Sequence, residues 1–160
     1  MKTRSSIGID VHKFVDNAPL IIGGILIDYA KGLEGHSDGD VLTHAIIDSL
    51  LGGAAKGDIG THFPSNDDNW KDIDSMILLE KTMLIIKKEG WSPSYLDATI
   101  IAQSPMLSPY VLKIKNNLSN HLEMTPENIN IKATTTDGLG FLGNSQGIAT
   151  LVVATMENSI

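Results

Sequence analysis

The chain has 160 residues, 42% of them hydrophobic and 19% charged, with no cysteine, so disulfides, thiolate-bound zinc, iron–sulfur clusters and thiol catalysis are excluded. Twelve Lys and Arg against 19 Asp and Glu give a net charge of −7, which argues against sequence-independent binding to a nucleic-acid backbone. No apolar run approaches the roughly 20 residues that span a bilayer. The length fits one domain over residues 1–160. A charged fraction below the usual ~25% hints at surface covered by partner subunits. Few residues precede the first predicted strand, so a cytoplasmic, bacterial-type protein is expected, with a plastid setting only if a transit peptide was trimmed.

Taken in chain order, Ser5–Val11 reads as a strand, with Ile7, Ile9 and Val11 on one face and Gly8, Asp10 and His12 on the other. Leu20–Ile27 reads as a hairpin turning at Gly23-Gly24, since glycine supplies the positive φ of a two-residue turn. Gly32–Gly39 is Gly-rich and polar, hence a loop. Val41, Leu42, Ala45, Ile46, Leu50, Leu51 and Ala54 recur at helical spacing over Asp40–Lys56, with Asp38 or Asp40 as N-cap. A polar loop over Lys56–Asn69 precedes a helix over Asp74–Lys88 that Gly90 ends. Leu96–Gln103 is a β-branched strand, and Ser108-Pro109 starts a helix to about Leu122. Thr125–Asn128 is a turn, and Ile129–Thr135 and Ile148–Met156 are the last strands. The order predicts an α+β fold, with helices covering one sheet face.

Four polar clusters fall where these elements end. Asp10 and His12, two apart on a strand, project from one face. His36-Ser37-Asp38-Gly39-Asp40 follows, with His44 inside the next helix; Asp10, His12 and His44 together would form a three-ligand site with an open fourth position. On spacing alone a capping or packing role for His44 stands beside that metal reading. His62 and His121 lack partners in sequence, and His121 reads as solvated. Asp58-Ile59-Gly60 with Phe63-Pro64 reads, without further context, as a turn residue and a helix C-terminus. Lys132-Ala133-Thr134-Thr135-Thr136-Asp137-Gly138 suits phosphate and a hard cation, or simply reflects the β propensity of Thr.

In this order the clusters resemble the 2-C-methyl-D-erythritol 2,4-cyclodiphosphate synthase family of the non-mevalonate isoprenoid route. The segments that carry the resemblance are Gly8–His12, Gly35–Asp40 with His44, Gly57–Gly60, Ala102–Pro105, Lys132–Thr136 and Leu139–Phe141. It implies a homotrimer of α/β sandwiches with a four-stranded-type mixed sheet of ferredoxin-like βαβ character, and active sites at subunit interfaces. The implied reaction is that of a lyase. The 2-phosphate of 4-diphosphocytidyl-2-C-methyl-D-erythritol 2-phosphate attacks the β-phosphorus, CMP leaves, and the cyclodiphosphate forms. Asp10, His12 and His44 would hold zinc, and His36 and Thr135 would stabilise the transition state. Asp10, His12, His36, Ser37, Asp58, Ile59, Gly60, Phe63 and Asp67 would contact the substrate. Ala102, Gln103, Ser104, Pro105 and Met106 would lie at the cytidine end, with Lys132, Thr134, Thr135, Thr136 and Asp137 at the diphosphate. Asp137 would serve a second cation, magnesium or manganese, and Phe141 would line an apolar cavity on the threefold axis.

The inventory fits that chemistry. A phosphate monoester has a second pKa near 6, so the attacking group is largely dianionic at neutral pH and needs no general base. What it needs is neutralisation and alignment of two repelling phosphates. Four positions depart from the family's usual pattern: Asp137 stands for Glu, Met106 for Lys, and Asn144 and Gln146 for Arg and Glu. The last change predicts weak binding of isoprenoid diphosphate effectors. The competing readings are a metal-dependent phosphohydrolase and a trimeric nucleotide-binding regulator.

Overall fold

Apolar and polar residues alternate along the first strand, β1, which runs over Lys2–Asp16, well beyond the expected Ser5–Val11. The computed structural model describes residues 1–159. In it β1 pairs antiparallel with the last strand, β7 (Gly147–Asn158), from Lys2↔Asn158 to Lys13↔Gly147. On the other side of β7 lies β5 (Trp91–Ile101), also antiparallel, and β6 (Ile129–Thr134) adds parallel to β5. A short edge strand, β4 (Lys31–Leu33), pairs with the end of β1, so the sheet order is β4-β1-β7-β5-β6.

Among the described residues the sheet therefore has five strands rather than the expected four-stranded type. The additional strand comes from a segment anticipated as loop. Three residues are too few to display alternation, and Gly32 is needed there for clearance: a Cβ would fall 2.6 Å from the Ala18 carbonyl oxygen. The separate hairpin of β2 (Leu20–Ile22) and β3 (Ile25–Ile27) turns as predicted, with φ of +57° at Gly23 and +74° at Gly24.

Among the described residues five α-helical segments occur in chain order: α1 (Val41–Gly53), α2 (Ile59–His62), α3 (Ser75–Lys88), α4 (Val111–Leu122) and α5 (Gly140–Gly143). Asp40, rather than Asp38, is the N-cap of α1 and accepts from the Thr43 N–H at 3.0 Å. The polar loop over 56–69 is shorter than expected, because Asp58 caps the single turn of α2 and a 3-10 turn occupies Asp68–Trp70. A 3-10 turn at Ser108–Tyr110 likewise precedes α4, which links the parallel strands β5 and β6 as a βαβ crossover.

Helix α1 is apolar nearly all round, the pattern of a helix buried on every side. One side meets the inner face of the sheet, where Leu96, Ala98, Ile100, Ile148, Val152 and Met156 are buried; α3 packs against another. Two hydroxyls pin it: Ser6 Oγ donates to the Ser49 carbonyl at 2.6 Å and Thr150 Oγ1 to the Val41 carbonyl at 2.8 Å. Gly8 sets the separation, since a Cβ there would meet the Ala45 carbonyl and lie 2.8 Å from the Ser49 nitrogen. The outer face keeps Ile7, Ile9, Val11 and Val153 exposed.

Candidate metal centre and two hollows

Because β1 and α1 approach so closely at Gly8, the next inward-facing residues, Asp10 and His12, meet His44 on the first turns of α1. Asp10 Oδ2 lies 2.7 Å from His12 Nε2 and 3.2 Å from His44 Nδ1, and the two ring nitrogens are 3.2 Å apart. Metal bonds of about 2.0–2.2 Å place tetrahedral donors about 3.3 Å apart, close to this spacing. Among the described residues these three form the one group of His, Asp or Glu whose ligand atoms converge in this way. The opposite ring nitrogens are engaged as a metal would require: His12 Nδ1 faces the Glu34 carbonyl, and His44 Nε2 lies 2.9 Å from both Ser37 Oγ and Ser75 Oγ.

The charges agree with a cation site. Burial raises the Asp10 pKa, but hydrogen bonds and positive charge from His12 and His44 outweigh it and hold the carboxyl well below the usual range. For His12 the burial that lowers its pKa is likewise outweighed by Asp10, and the net shift is upward.

The three residues open onto a hollow of about 250 Å³, also lined by His36, Ser37, Ile59, Gly60 and Phe63. His36 Nε2 lies 3.1 Å from the Asp67 carbonyl oxygen, so Asp67 touches the site through its backbone. Its carboxylate is turned to Asn69. Asp58 does not itself line the hollow; it caps α2, whose Ile59 and Gly60 do, and accepts from the Thr61 N–H at 2.8 Å and Thr61 Oγ1 at 2.7 Å, bonds that lower its pKa. Four lining residues were not singled out from sequence: Asp48, Ser65, Trp70 and Leu78. Asp48 sits four residues after His44, hence on the same helix face, and accepts from the Ile59 N–H at 2.7 Å; burial raises its pKa. That spacing was a usable signal. Trp70 meets Phe63 edge-on at 5.1 Å, a contact across a polar-looking loop that no periodicity announces.

A second hollow, of about 310 Å³, gathers Ala102, Gln103, Pro105, Met106, Ala133, Thr134 and Thr135. Gln103 Oε1 accepts from the Gly138 N–H at 3.1 Å, which ties the Thr136–Gly138 turn to its rim. Asp137 is on that turn with φ +52°, its N–H donating to Thr135 Oγ1 at 3.2 Å. Thr136 Oγ1 donates to the Leu139 carbonyl, and Phe141 is exposed on α5. Ser104 does not line either hollow. Lys132 is elsewhere: its ammonium lies 2.5 Å from both Asp97 oxygens on the outer face, and that bond, with one from Asn130, lowers the Asp97 pKa. His62 and His121 do find partners, in the Lys56 carbonyl at 2.7 Å and the Asn117 carbonyl at 2.9 Å. His121 also lies 3.5 Å from Glu80, so it is half-buried rather than simply solvated.

The hollows do not merge. Asp10 and His12 are on β1 and Thr134 is on β6, three strand spacings of about 4.8 Å away, or roughly 14 Å. His36 and Thr135 thus line different walls of one chain.

The likeness to known proteins runs along nearly the whole chain. A protein from Clostridium acetobutylicum named 2-C-methyl-D-erythritol 2,4-cyclodiphosphate synthase is 53% identical, over 91% of this chain and 94% of its own. The solved structure of the bifunctional IspDF from Campylobacter jejuni superposes with a TM-score of 0.95 at 37% identity, covering 98% of this chain and 42% of that one. IspF from Plasmodium falciparum, solved as a CDP complex, gives 0.86 at 31% identity, with 99% and 97% covered. No helix among the described residues is long and apolar enough to cross a membrane. The YgbB family model matches residues 3–157, and a chain so matched, with relatives at this identity along nearly all its length, belongs to the YgbB family.

Proposed function

We propose that this chain is a 2-C-methyl-D-erythritol 2,4-cyclodiphosphate synthase, a lyase of the non-mevalonate isoprenoid route. The observation that carries the reading is the convergence of Asp10, His12 and His44 at tetrahedral spacing, in a chain of a family whose relatives bear that name. The reaction forms one P–O bond, from a 2-phosphate oxygen to the β-phosphorus of 4-diphosphocytidyl-2-C-methyl-D-erythritol 2-phosphate. It breaks the bond from the β-phosphorus to the bridging oxygen, and CMP leaves with that oxygen.

Asp10, His12 and His44 hold zinc in this reading; when bound, the ion polarises a phosphoryl oxygen and offsets charge. The chain's own work is alignment. His36, steadied by the Asp67 carbonyl, and Thr135 face the reacting phosphoryl group from opposite sides. Ser37, Asp58, Ile59, Gly60 and Phe63 seat the methylerythritol end, and Ala102, Gln103, Pro105 and Met106 with Thr134 receive cytidine. Asp137 serves magnesium or manganese. Lys132 contributes to anion binding only on leaving Asp97. With nucleophile and electrophile on one molecule, holding both ends in line favours cyclisation over hydrolysis.

The separation of the hollows supports assembly of each site from two subunits, one supplying the metal cluster and the other Thr135 and the cytidine wall. The exposed apolar stripe of Ile7, Ile9, Val11 and Val153 on the outer sheet face gives a homotrimer its interface. Bacterial relatives fit a cytoplasmic setting.

Phosphorus NMR of the protein with substrate, zinc and magnesium tests this directly. The expected spectrum shows a coupled cyclic diphosphate pair together with CMP. Inorganic phosphate would establish the hydrolase instead, and unchanged substrate beside bound zinc a binding module.

A further inference from the structure

Ser75 begins α3, is fully buried, and has no place in the chemistry above. Its Oγ stands between two functional groups. On one side is His44 Nε2 at 2.9 Å; on the other is Asp38 Oδ1, in short contact. The Asp38 carboxylate also accepts from the Ser75 N–H at 2.9 Å and the Asp40 N–H at 3.2 Å, so it is fixed by the backbone of two helix starts. A carboxylate only accepts, so the Ser75 hydroxyl proton points to Asp38. The serine's lone pairs are then left facing the imidazole, and His44 must donate from Nε2. Its Nδ1, 3.2 Å from Asp10 and His12, carries the lone pair.

Ser37 Oγ is also 2.9 Å from His44 Nε2, but 3.4 Å from Ser75 Oγ, too long for a strong bond. One N–H does not satisfy two hydroxyls equally. With Ser75 polarised by Asp38, the stronger acceptor is Ser75, which leaves the Ser37 hydroxyl free to turn into the hollow it lines.

From this geometry we infer that Ser75 and Asp38 are positioning residues that set the His44 tautomer and aim Nδ1 at the metal, while sparing Ser37 for substrate. The inference rests on reading Asp10, His12 and His44 as metal ligands.

Two measurements test it. Long-range proton–nitrogen NMR of histidine-labelled apoprotein, well above the ordinary imidazole range, should show His44 as the Nε2–H tautomer; the Nδ1–H tautomer would overturn the inference. Zinc affinity, by competition with a chromophoric chelator, should fall ten- to a hundredfold in Ser75→Ala, as for other partners of ligating histidines, and little in Ser37→Ala. Wild-type affinity in Ser75→Ala, or an equal loss in Ser37→Ala, would overturn the relay and leave the metal site standing. Failure of the wild-type protein to bind zinc would overturn the metal reading and this inference with it.

Discussion

Asp48 is a carboxylate whose charge the fold disfavours. Burial raises its pKa above the ordinary carboxyl value, so in metal-free protein the folded chain holds a proton there more tightly than the unfolded chain. Stability is then lost as pH climbs from the unfolded pKa through the folded one, and the cost is complete above both. Asp48→Asn keeps an oxygen for the Ile59 N–H and removes the charge. It should melt above wild type at neutral pH and converge with it below about pH 4, where both side chains are uncharged. Melting temperature against pH checks this; a lower-melting variant at neutral pH would show that the charge is compensated. His44→Ala, by contrast, should remove bound zinc and nearly all turnover while far-UV circular dichroism stays unchanged, because α1 is anchored by its apolar faces rather than by its ligand. Loss of the helical signal would instead make the site structural.

The contact between β1 and α1 carries the site, and it depends on a missing side chain. Gly8→Ala would press a methyl on the Ala45 carbonyl and the Ser49 nitrogen. Overpacking of this kind costs about 1–3 kcal/mol, and here relief must come from moving α1, and His44 with it, away from Asp10 and His12. Denaturant unfolding should show the loss, and zinc titration of the folded variant should show weakened binding; unaltered zinc affinity would mean that the strand yields instead. The same contact explains what could be read in advance. Asp10 and His12 were legible because strand geometry puts residues two apart on one face; helical spacing put His44 on α1, but its reading as a ligand came from the family resemblance. Edge strand β4 was not, since three residues around a glycine carry no period. Nor was Ser75, whose identity at a helix start is equally that of a capping residue. Lys132 was read from its Thr-rich neighbours, but its partner Asp97 lies 35 positions away across a parallel pair that only the fold brings together.

For the molecule as a whole, the outer face of the sheet is the feature that a single chain leaves unexplained. Ile7 and Ile9 are each 57% exposed on the strand that also bears Asp10 and His12, a poor surface for an isolated subunit. Ile9→Asp should therefore lower the sedimentation coefficient to that of a monomer and abolish turnover, even though zinc affinity per chain stays near wild type. A trimeric and active variant would place the interface elsewhere. The two separate hollows have a genetic counterpart. If each site takes one wall from each of two neighbours, His44→Ala and Thr135→Ala spoil different walls, and neither change touches the wall the other needs. Co-assembled in equal amounts, the two dead chains should regenerate about one quarter of the sites, because each cyclic interface draws its walls independently. One polypeptide would then behave as two complementation groups, and activity recovered on mixing would count the subunits that build a site.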